Sequence, residues 1–139
     1  MCELADRVGM GIQGVVGSSD SGSWAYTIGR VQQGFAEIVV VGMAADRCAH
    51  LINHVADDWA DVLAGRVDES VQLLPVPARV WTTTDYVSGA YRFARERGLT
   101  SEFQVVQAVW PDHHGRFPWD PDCSAAVRSA QPMLGLLST

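Results

Sequence analysis

FAEIVVVG, residues 35–42, holds four consecutive β-branched residues, Ile38, Val39, Val40 and Val41, between Glu37 and Gly42. A run this short and this apolar reads as a strand covered on both faces, because a half-exposed strand would alternate. Helices or further layers must then lie above and below it. The flanks supply them. Upstream, GIQGVVG (11–17) and WAYTIGR (24–30) are rich in β-formers and are separated by the turn cluster SSDSGS (18–23), so they form a hairpin. VQQG then turns the chain into the central strand.

Downstream, a helix is expected from residue 44 or 45 to 64, stopped by Gly65. Its apolar stripe is Cys48, Leu51, Ile52, Val55, Trp59, Val62 and Leu63. QLLPVPARVWTTT (72–84) reads as one strand interrupted by two prolines. Residues 78–83 are its better half, at a sheet edge or a bend. A second helix follows from Thr84 or Asp85 to Arg97, with Tyr86, Val87, Ala90, Phe93 and Ala94 buried and Gly98 as the stop. EFQVVQAVW (102–110) is another strand, and residues 124–139 are a short helical turn and a loose tail. Short early connections force antiparallel neighbours. The expectation is an α+β fold: one domain over 1–139 with its core at about 11–132, and a mostly antiparallel sheet of about five strands with two main helices.

The chain has 139 residues, 47% hydrophobic and 19% charged, an ordinary globular balance. No apolar run reaches the roughly 18 residues of a membrane span, and the first residues lack the pattern of a signal peptide. Three scattered cysteines, Cys2, Cys48 and Cys123, make no disulfide or zinc framework, so a cytoplasmic setting is expected. All ten basic residues are Arg, read as the imprint of a GC-rich genome. The net charge of −6 argues against general nucleic-acid binding but allows a local pocket for one small anion. Homo-oligomerisation is allowed.

YTIG at 26–29, a strand ending in Gly42, Asn53 on the helix, Gly65 after it and WPD..GRFPW at 110–119 together resemble the bacterial and phage family catalogued as domain of unknown function 4262. The resemblance runs from about residue 11 to 132. It implies the architecture and the weight of the two motifs, and brings no established activity. Members resembling this chain often carry Pro-Glu before the third strand, where this one has Ala36-Glu37. After YTIG they commonly carry Leu, where this one has Arg30.

WPDHHGRFPWDPDC (110–123) is too rich in Pro and Asp for a helix or central strand and too aromatic for an idle tail. It reads either as a structural loop, capped by Asp112 and turned by Gly115, or as a ligand-binding loop. In the second case Trp110 or Trp119 is a stacking wall and Asp112 or Arg116 an anchor. On the WAYTIGR strand, Tyr26, Thr27 and Arg30 either pack or hold an anionic or hydroxylated ligand. The preferred reading joins these segments. A pocket between the strand and the loop would bind a phosphate- or carboxylate-bearing small molecule, as a sensor or sponge, with Tyr26, Thr27, Arg30, Trp110, Asp112, Arg116 and Trp119 as its residues.

Two alternatives stand beside it, a metal-assisted hydrolase using Asp112 and His113 and an interaction module using the aromatic loop. No cofactor and no metal site is expected. A Cys123–His pair, and the helix arc of Arg47, His50, His54, Asp57 and Asp61, read more simply as loop chemistry and a solvated face.

Overall fold

The computed structural model describes residues 11–15, 23–57, 71–83, 86–131 and 133–134. Strands β1 (Gly11–Val15), β2 (Trp24–Ile28) and β3 (Glu37–Val41) come first, and helix α1 (Ala45–Asp57) follows. Then come β4 (Gln72–Pro75), α2 (Ala78–Thr83), α3 (Ser88–Glu96), β5 (Val105–Val109) and α4 (Ala125–Ala130). One five-stranded sheet has the order β1-β2-β3-β5-β4. All neighbours are antiparallel except β3 and β5, which run parallel. The fold is α+β, mostly antiparallel.

Every residue of β3 is buried, as a strand covered on both faces requires. On one face Tyr26, Ile28, Val39, Val41 and Val105 pack under Ala90, Phe93 and Ala94 of α3 and Val80 of α2. On the other, Ala25, Ile38, Val40 and Ala108 meet Cys48, Ile52 and Val55 of α1. The alternation along β2 and β3 sorts these two cores, since successive side chains leave a strand on opposite faces. The rest of the expected α1 stripe, from Trp59 onward, lies outside the described residues, as does the Thr84–Asp85 start expected for α3.

Residues 78–83 are not strand. They form α2, and Pro77 marks its start: the Val80 N–H donates to the Pro77 carbonyl at 2.9 Å. Proline is at home in a first helical turn, where its missing N–H is no loss. The Trp81 indole closes the turn by donating to the Val76 carbonyl at 3.0 Å and packs edge-on to Phe103. Tertiary packing of Val80 and Trp81 thus overrides the β-propensity of the local sequence. Only the first half is strand, β4, and it lies at the sheet edge.

The tail is not loose throughout. Gln131 and Leu134 are fully buried, and the Leu134 N–H donates to the Gln107 side chain at 2.9 Å.

Candidate functional site

The YTIG segment is built around Glu37. Gly29, at φ 109°, turns the chain out of β2 into a short 3-10 turn at Arg30–Gln33. The Glu37 carboxylate collects the backbone N–H groups of Gly29, Arg30 and Val31 at 3.1, 3.2 and 3.2 Å. It also accepts the Thr27 hydroxyl at 2.6 Å, and the Thr27 oxygen accepts the Ile38 N–H at 2.9 Å. Burial pushes the Glu37 carboxyl up, and these hydrogen bonds only partly oppose it. Thr27 is wholly buried, so its hydroxyl serves the turn. Tyr26 is buried too, its oxygen accepting the Gly89 N–H at 3.2 Å, which docks α3 on the sheet. The Arg30 Nε donates to the Ala36 carbonyl at 2.7 Å, and the guanidinium lies over Phe35. Burial lowers the Arg30 pKa, and the Glu37 charge opposes that.

The second motif is stapled by Asp112. One carboxylate oxygen accepts the N–H groups of His114 and Arg116, at 2.9 and 3.0 Å, and the other accepts that of Ser124 at 2.9 Å. Those backbone donors, those of Arg116 and Ser124 foremost, hold the Asp112 carboxyl at about 2. Gly115, at φ 80°, completes the turn. The Arg116 guanidinium turns back to the Asp122 carbonyl at 2.9 Å, while Arg128 reaches the carbonyls of Asp120 and Pro121. His113 and His114 are exposed and lie ring to ring at 4.0 Å, where adjacent His side chains usually diverge. Burial, with the Asp112 charge next, raises the pKa of Cys123, which suits a packed thiol and not a nucleophile. Trp119 is 52% exposed and stacks flat on Phe117 at 5.0 Å.

The two motifs lie towards opposite ends of β5. Tyr26 pairs with Val39, and Glu37 with Val105, so Arg30 stands beyond the end of the sheet where β5 begins. The loop leaves from the other end of β5, four residues on, a separation of about 13 Å along the strand alone. The Trp110 indole fixes that end by donating to the Val41 carbonyl at 2.8 Å. Tyr26 also belongs to the α3 face, and Trp110 packs on the α1 face. The residues expected to line one pocket are thus spread along the sheet, with Arg30 towards one end of β5 and Trp110 at the other.

A cleft does form at the loop end, with a volume of about 760 Å³. One wall is the exposed side of α1, where Asp46, Arg47, His50 and His54 fall on one helical face. The facing wall is Trp110 and Pro111, with Met43, Leu51 and Val71 between. Two groups that the sequence held apart, the α1 arc and the first residue of the loop motif, thus meet around one space. Asp57 does not line it, and Asp61 lies outside the described residues. Sequence reasoning gave no site role to Asp46, Met43, Leu51, Val71 or Pro111, although Pro111 stood in the WPD motif, Leu51 on the helix stripe and Asp46 four residues before His50. Among the described residues no three His, Cys, Asp or Glu side chains converge as a metal site.

A comparison with protein families matches residues 4–124 to the family described as domain of unknown function (DUF4262). The chain belongs to that family. Searches of curated proteins and of solved structures found no match. Both motifs that carried the resemblance to DUF4262 lie inside the matched stretch, and both build turns here: one on Glu37, the other on Asp112. No helix among the described residues is long and apolar enough to cross a membrane.

Proposed function

We propose that this DUF4262 protein binds a small anionic ligand, bearing a carboxylate or phosphate, in the cleft between α1 and the start of the loop, as a sensor or sponge in the cytoplasm. The observation that supports it is the lining. An aromatic wall at Trp110 faces Arg47, His50 and His54 across a space of ordinary ligand size. Arg47 takes over the anion-holding part first given to Arg30 and Arg116, whose guanidinium groups bond their own backbone neighbourhoods. A thermal-shift screen of small carboxylates, phosphates and nucleotides tests the reading, with hits located by ¹H–¹⁵N NMR. Shifts should centre on Met43, Leu51, Val71 and Trp110. A hit whose shifts lie elsewhere overturns the cleft assignment.

A second reading, a protein-interaction module, rests on Trp119. A half-exposed Trp stacked on Phe117, on a loop this densely bonded, is a preorganised aromatic contact of the kind found at interface hot spots.

A further inference from the structure

The two walls of the cleft differ in what they can give a ligand. Trp110 offers surface alone. Its indole N–H is donated to Val41, its backbone N–H to the Gln131 side-chain oxygen at 2.8 Å, and its carbonyl accepts the Gln131 amide at 2.8 Å. Pro111 has no N–H to give. Met43 and Leu51 extend this wall with apolar atoms, and the Met43 carbonyl already accepts the Cys48 thiol at 3.3 Å. A sugar laid here would lose water from its hydroxyls without replacement. The face of a flat ring gives up few hydrogen bonds to water and gains a stacking partner in the indole, beside Met43.

The charged wall narrows the head group. Arg47 can fork onto two oxygens of one group. Asp46, in the same turn of α1 and lining the same cleft, places a negative charge beside it. That neighbour disfavours a doubly charged phosphate more than a singly charged carboxylate, since repulsion grows with the ligand's charge.

Resting on the cleft reading above, we propose that the ligand is a planar aromatic monocarboxylate, its ring on Trp110 and its carboxylate on Arg47. Isothermal titration of the whole chain with four probes tests this: indole-3-acetate, its neutral amide indole-3-acetamide, decanoate and glucose 6-phosphate. Indole-3-acetate should bind tightest, and Arg47→Gln, at an exposed helix position, should weaken it about tenfold while leaving the amide unchanged. NMR shifts for each binder show whether it occupies the cleft. Tighter binding of decanoate or glucose 6-phosphate there, or an Arg47→Gln variant that binds indole-3-acetate as the wild type does, overturns the ligand class and leaves the cleft reading standing. Indole-3-acetate shifts centred away from Trp110 and Leu51 overturn both. No binding of indole-3-acetate at about 10 mM, beyond any useful affinity, overturns the aromatic carboxylate alone.

Discussion

Asp112 has 6% of its surface exposed, and three backbone N–H groups hold its carboxylate. The loop binds the charged form, so the stabilisation is complete above the ordinary value of 3.8 and is lost as pH falls toward about 2. Asn in its place would turn an amide N–H₂ toward one of those donors. Asp112→Asn should therefore melt below the wild type near neutral pH, and the gap should close between about pH 4 and pH 2. Melting curves of both proteins across that range check it, and a gap independent of pH would place the effect outside ionisation. Glu37 works in the other direction. Its carboxyl is raised by burial, so keeping it charged costs most at neutral pH and less as pH falls through its raised value, and the difference between the two proteins cancels that contribution. The turn-making roles of Asp112 and Gly115 were legible in the sequence because Asp and Gly have few other reasons to stand four and one residues from a turn's end. For Arg30 the sequence left packing and ligand binding open, and only the fold shows it 6% exposed with its guanidinium over Phe35.

At the scale of elements, the two Trp residues of short segments separate local pattern from packing. Trp81 sits on a six-residue helix that could not stand alone, yet its ring meets Phe103 edge-on at 4.7 Å and Tyr91 at 6.2 Å. Trp119 touches Phe117 and leaves half its surface to solvent. Trp81→Ala should cost about 3 kcal/mol, and Trp119→Ala less than about 1 kcal/mol. Urea unfolding of both variants decides the order, and a larger loss at Trp119 would mean that the loop is part of the core. The strands β1, β2, β3 and β5 and helices α1 and α3 were legible because periodicity and β-branching agree there. Residues 78–83 were not, since Val and Thr favour a strand while Pro77 starts a helix, and the conflict is settled by contacts distant in sequence.

For the molecule as a whole, β3 running parallel to β5 puts the start of β3 and the end of β5 at opposite poles, so two motifs belonging to one family pattern stand apart. A linear sequence marks which segments matter but not which pole each reaches; the cleft became visible only when α1 and Trp110 were placed together. At that pole the side-chain amide of Gln131 pairs with both backbone groups of Trp110 as a further strand would, and on the α3 face the Leu134 N–H donates to Gln107 in the middle of β5. Both lie beyond residue 124, where the family match stops. A gene fragment cut at that boundary would encode both quoted motifs and still leave both polar backbone atoms of Trp110 without the Gln131 amide, at roughly 1–3 kcal/mol for each group left buried and unpaired. Such a fragment should be recovered aggregated or molten where the longer chain is well folded, as the dispersion of its ¹H–¹⁵N spectrum would tell. That outcome would give the unit inherited as a family and the unit that folds different ends in this chain.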